Sequence, residues 1–282
     1  MHNLQHCLVE CDVFIDDYLK AHPELAGWRR SNNDDPAFTD AEVITIALMQ
    51  GYFQTDTLKR TYQLVAGDAP AAFPGCPGYK QWMRRLSRLT GLVGRLVRAA
   101  ALRALADSYV RLYVVDSLPM PVCNPLRHGR VRLLCEDGAY FGKRAKGWFF
   151  GFKMHALIHQ ATGVVVTAML TPGNWDDRRA VGALALSTGG GVLLGDQGYS
   201  GDDTFDWLYD EAQTLRVMPS DEGESGLSTV SQVRQRIESS FSSLWRRFVD
   251  RVYARSWSGL WTSLLLKTLH FNMERAGLIA TA

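Results

Sequence analysis

Arg111-Leu-Tyr-Val-Val-Asp116-Ser117 is the stretch on which the fold turns. Leu112 to Val115 are strand formers with no polar interruption, the pattern of a strand buried on both faces, and the spacing predicts a strand over 111–116. The strand ends on a carboxylate. Burying an unpaired Asp costs several kcal/mol, so Asp116 calls for a partner: a helix N-terminus, an Arg or a metal ion. Val192-Leu-Leu-Gly-Asp196 repeats the arrangement, with a strand over 192–196 that also ends on Asp. In open α/β sheets ligands gather beyond the carboxyl ends of strands, which is where both Asp residues are expected. A third acid, Glu238, lies four residues after Arg234 on a helix predicted from about 231 to 248, so those two are neighbours on its surface.

Working outward, residues 148–158 and 164–170 read as two strands joined through Thr162-Gly163 as an antiparallel hairpin. Asn174 is placed to cap a helix over about 175–187. A helix over 201–212, a short strand over 214–218 and a polar loop over 219–230 follow. The chain closes with an apolar-faced helix carrying Trp257, Leu260, Trp261, Leu264 and Leu265. Such an order builds a mixed α/β sheet flanked by helices. Upstream the period is helical throughout: 1–20; a helix opened by the capping box Thr39-Asp-Ala-Glu42 and running to Gly51; 55–66; and 79–106 with a break near Thr90-Gly91. The expected division is therefore an all-helical region, 1–108, followed by an α/β domain, 109–282. Cys7 and Cys11, one turn apart on the first helix, read as core residues.

Lys and Arg number 31 against 29 Asp and Glu, so the total charge points to no partner, but its distribution does. Residues 78–106 hold seven basic residues and no acid. Residues 123–155 hold seven basic and two acidic, and 232–256 six and two. Solvated faces mix both signs, whereas phosphate-binding surfaces require such local excesses. From five cysteines, an odd number without a C-x-x-C spacing, neither a disulfide framework nor a zinc site follows, and a reducing compartment is expected. The N-terminus has no signal-peptide pattern and no apolar run approaches the ~20 residues of a membrane span, so a cytoplasmic protein is expected.

Several stretches together resemble the DDE transposases of bacterial insertion sequences. They are Val115-Asp116-Ser117, Gly151-Phe-Lys153-Met-His155, Leu170-Thr-Pro-Gly-Asn174 followed by Asp176-Asp177, Gly195-Asp196-Gln-Gly-Tyr199 and Arg234-x-Arg-Ile-Glu238, in that order. Phe38-Thr-Asp-Ala-Glu-Val-Ile-Thr45 and Tyr79-x-x-Trp-x-Arg-Arg-Leu86 are similar to the helical region that precedes the catalytic domain in the same group. The resemblance implies an RNase H-like catalytic core, with Asp116, Asp196 and Glu238 as catalytic residues and ligands of Mg²⁺, or of Mn²⁺ as a substitute. It further implies terminal inverted repeats and target DNA as double-stranded partners, a homodimer on DNA, and a nucleoid-associated location in a bacterium. One large branch of these enzymes places Tyr seven residues before the Glu and Lys seven after; here Ser231 and Trp245 stand there.

Three carboxylates at one sheet edge supply the hard oxygen ligands that such ions prefer, independently of any family. The expectation is that Asp116 bridges two metals while Asp196 and Glu238 hold one each. Candidate DNA contacts are Arg84, Arg85 and Arg88 on the acid-free helical stretch, Lys143 and Lys146 between strands, Lys153 and His155 on one face of a strand, and Arg234 and Arg246 beside Glu238. His155 and His159 share a face, but no third soft ligand is in register for a transition metal. Asp176 and Asp177 read as first-turn helix residues favoured by the macrodipole. Two other functions fit the same chain: a nuclease of the same fold that hydrolyses without strand transfer, and a catalytically inactive DNA-binding derivative.

Overall fold

The computed structural model describes residues 4–26, 36–106, 108–144, 147–195, 208, 210, 214–217, 242, 244 and 253–280. Its helices and strands are α1 (Leu4–Ala21), α2 (Asp40–Tyr52), α3 (Leu58–Asp68), α4 (Tyr79–Arg88), α5 (Thr90–Leu105), β1 (Leu112–Cys123), α6 (His128–Val131) and β2 (Tyr140–Arg144). They continue with β3 (Gly147–His159), β4 (Val165–Pro172), α7 (Arg178–Ala185), β5 (Gly191–Leu194), β6 (Thr214–Val217) and α8 (Trp257–Arg275). The described residues fall into two compact units, one within Met1–Arg103 and Arg247–Ala282 and one within Ala104–Arg246.

The first unit is helical. Thr39 caps α2 as expected: its hydroxyl accepts from the Glu42 N–H at 3.1 Å, and the Glu42 carboxylate accepts from the Thr39 N–H at 2.6 Å. Ile44, Leu48, Trp82, Leu86 and Val93 form its core, and Cys7 and Cys11 are buried there as free thiols. The Trp82 indole, fully buried, donates to the Val43 carbonyl at 3.2 Å, which satisfies its one polar atom. The sequence reading placed the last helix with the sheet domain. Instead α8 packs among the helices, because its apolar face (Leu266, Leu269 and Met273) joins this core and Asn272 donates to the Val97 carbonyl at 3.2 Å. Gly51 permits that approach: a Cβ there would lie 2.4 Å from the His270 ring.

The second unit is a six-stranded mixed sheet in the order β2-β3-β1-β5-β6, with β4 also on β3. β3 is antiparallel to β1, β2 and β4, and β5 is parallel to β1 and β6, so among the described strands β3 alone runs against the rest. This is the mixed, helix-flanked α/β sheet expected of an RNase H-like core. β1 differs from expectation in length. It continues through Pro119 and Pro121 to Cys123, because antiparallel pairing with β3 persists, while pairing with β5 covers only Leu112 to Val114. Val192 N–H donates to Arg111 O and Gln160 N–H to Leu112 O, so odd residues of β1 direct their backbone toward β5 and even ones toward β3. Pro119 and Pro121 therefore turn their missing N–H away from β3, to the edge of β1 beyond its described pairing with β5.

The odd positions Tyr113, Val115 and Leu157 pack against Ala180, Val181 and Leu184 of α7. On the other face Val114, Met154, Ala156 and Ile158 are also buried, so the sheet is covered on both sides. β2 was not expected; Tyr-Phe-Gly-Lys-Arg is too short and polar to announce a strand, and pairing with Gly147–Gly151 creates it. Gly151 is fixed by closeness: a Cβ there would lie 2.1 Å from the Met120 carbonyl oxygen.

Candidate active site

Asp116 lies within β1 rather than at its end, opposite Ala156 of β3. It is half-buried, and Oδ1 accepts the Ser117 N–H at 2.7 Å, on the edge of β1 beyond its described pairing with β5. The β1–β5 register pairs Leu112 with Val192, Tyr113 with Leu193 and Val114 with Leu194. Asp116 stands two residues beyond Val114, and Asp196 two beyond Leu194. Asp196 itself lies outside the described residues, as do Glu238, Lys146, Arg234 and Arg246. Among the described residues no group of three His, Cys, Asp or Glu is gathered as a metal site.

Lys153 and His155 are not on the Asp116 side. Ser117 pairs with His155 and Pro119 with Lys153, so alternation turns both side chains to the α7 face. There Lys153 Nζ donates to Asp177 Oδ1 at 2.8 Å and to the Trp175 carbonyl at 2.9 Å, and Ser117 Oγ donates to Asp177 Oδ2 at 3.3 Å. The Lys153 side chain is 17% exposed. His155 is 0% exposed; its Nε2 pairs with Thr171 Oγ1 at 2.8 Å, and its Nδ1, 4.0 Å from Asp177 Oδ1, has no hydrogen-bond partner among the described residues. Burial pushes the imidazole down to about 4, against the pull of Asp177 and with the push of Lys153, so it is neutral at physiological pH. The expected DNA contacts from Lys153 and His155 are thus replaced by an internal network. His159 is likewise a satisfied core residue, bonded to Thr162 Oγ1 and the Val110 carbonyl.

Asp177, read from sequence as a first-turn residue, is the hub of that network. Asp177, not Asn174, immediately precedes α7, and its side chain makes no capping bond because Lys153 and Ser117 hold it. Asp176 is bound by Arg178, whose hydrogen bonds hold the carboxyl down to about 2. The sequence showed Lys153 and Asp177 as candidates separately; only the β1–β3 register reveals that they meet behind Ser117.

On α4, Lys80, Arg84 and Arg88 are exposed at four-residue intervals and so form one stripe, with Arg95 and Arg98 exposed on α5. Arg85 departs from expectation. Its guanidinium donates to the Phe38 carbonyl at 2.6 Å and to Asp40 Oδ1 at 2.7 Å, and is a structural cation. Lys143 is exposed on β2.

A model described as the transposase DDE domain matches residues 107–249, about half of the chain. No curated protein matches. Among solved structures, the cryo-EM structure of the piggyBac transposase synaptic complex with hairpin DNA matches at 9% identity and a TM-score of 0.49, over 97% of this chain and 74% of that one.

Proposed function

As a member of the transposase DDE domain family, the chain is a DNA transposase, and we propose that it cleaves at the terminal inverted repeats of a bacterial insertion sequence and joins the freed 3′-OH ends to target DNA. The observation that carries the proposal is the β1–β5 register. Strand pairing is parallel and unbroken from Leu112–Val192 to Val114–Leu194, and the same offset, carried two residues further, would set Asp196 beside Asp116. Glu238 would complete the set from the helix that the sequence predicts over 231–248.

These residues fit a divalent ion. They offer only carboxylate oxygens, the donors Mg²⁺ and Mn²⁺ select, and Asp116 is half-exposed on the face away from the Lys153 ammonium. Asp116, Asp196 and Glu238 would hold the metal; bound there, it supplies Lewis-acid stabilisation of the charge that develops at a phosphodiester. The chain's own contribution is placement. Ser117 N–H fixes Oδ1 of Asp116, and Ser117 Oγ, held by Asp177, anchors that backbone from behind. The exposed stripe on α4 would hold phosphates of the terminal repeat, and two copies would pair two ends.

Strand transfer separates the reading from its enzymatic rival. With a pre-cut 3′-OH end and target plasmid in Mg²⁺, the account expects joined products; cleavage without joining favours a nuclease. Absence of metal-dependent heat on titration with Mg²⁺ or Mn²⁺ favours an inactive DNA-binding derivative.

A further inference from the structure

Trp148 is 63% exposed on β3, directly opposite Lys143 of β2. A Trp so exposed is unusual, since the side chain buries up to ~250 Å² when it packs. Its surroundings are cationic. Lys143 and Arg144 are exposed on β2, and the ring of His128 packs on Phe141 and Phe150 at 4.6 and 5.4 Å between centroids. That contact lays the segment carrying exposed Arg127, Arg130 and Arg132 over the same face of the hairpin. By alternation along β3, Trp148 also shares its sheet face with Ala156, the cross-strand partner of Asp116. Eight residues of strand separate the two positions, about 26 Å at ~3.3 Å per residue, which a DNA strand passing the site would span.

We propose that the β2–β3 hairpin is a DNA-strand platform, on which Trp148 stacks an unpaired base while Lys143 and the neighbouring arginines hold its phosphates. Stacking on an aromatic face is tolerant of base identity, and phosphate contacts add a salt-dependent attraction. A second copy of the chain is the poorer occupant, because covering Trp148 with an apolar face would strip water from Lys143 and Arg144 without pairing them. The inference rests on the proposed DNA chemistry and deepens it, by naming where the flanking strand lies.

The test uses the full chain and a fluorescently labelled single-stranded oligonucleotide, read by anisotropy, with Trp148→Ala, Trp148→Phe and Lys143→Ala. Both side chains are exposed, so the fold is expected to survive, which circular dichroism checks. The expected result is roughly tenfold weaker binding in Trp148→Ala, near-full rescue in Trp148→Phe, and a shallower salt dependence in Lys143→Ala. Unchanged affinity in Trp148→Ala overturns the platform, as does a change of oligomeric state in that variant by light scattering. Mg²⁺-dependent cleavage by Trp148→Ala is measured alongside. If cleavage is intact and oligonucleotide affinity is unchanged, the platform fails while the transposase reading stands.

Discussion

Asp116 and Ser117 are consecutive residues that β1 turns to opposite faces of the sheet, and Ser117 bonds to a carboxylate in each direction. Ser117 donates its N–H to Asp116 at 2.7 Å and its hydroxyl to Asp177 at 3.3 Å. The carboxylate at the front is therefore tied to an ion pair at the back, through one residue.

That tie makes Lys153 a stability residue rather than a DNA contact. Replacing it by Met leaves the Asp177 charge, 23% exposed, without its ammonium partner. A loss of about 1–3 kcal/mol is expected from the denaturant midpoint, with much of it recovered in Lys153→Met/Asp177→Leu. DNA affinity at fixed salt should not change.

His155 makes stability fall with acid. Its folded value, about 4, lies below the ~6.5 of an unfolded His, so the unfolded chain binds the proton first. The contribution is fully present above pH 6.5 and is lost as pH drops toward 4, at ~1.4 kcal/mol per unit and on the order of 3 kcal/mol in all. His155→Gln should flatten the difference between midpoints measured at pH 7 and pH 5.

Arg84 and Arg85 adjoin in sequence and should separate in experiment. Arg85→Ala breaks two internal bonds and is expected to lower stability by about 1–3 kcal/mol. Arg84→Ala and Arg88→Ala should leave stability within ~0.5 kcal/mol and each reduce the slope of log affinity against log salt by roughly 0.9.

Gly151→Ala forces a Cβ to 2.1 Å from backbone at Met120, which has no flexible end to yield. A loss of more than ~2 kcal/mol is expected by thermal unfolding, because the β1–β3 pairing must shift to accept it.

Much of this was legible in the sequence. The capping box at Thr39, the break between α4 and α5 and the strand bearing Lys153 all follow from local pattern, whereas the adjacency of β1 and β5 was an open condition that their pairing meets. Which face Lys153 and His155 occupy does not. It depends on the register of β1 against β3, which the close backbone approach at Gly151 helps to fix. The continuation of β1 past 116, through Pro119 and Pro121, was not legible either, because it rests on pairing with β3 about 30 residues away. Arg85 looked like its neighbours because charge is local, whereas Asp40, its partner, lies 45 residues away. Asp177 was visible as a helix-start acid; its turn toward the sheet required the Lys153 ammonium on that face.

The central claim is that Asp116 belongs to a metal-binding carboxylate set that cuts DNA. Its most direct test is nicking of end-containing DNA by purified Asp116→Asn in Mg²⁺, with DNA affinity and unfolding midpoint measured on the same sample. The account predicts folded protein, unchanged DNA affinity and no metal-dependent nicking. Nicking at the parent rate by that variant would contradict it.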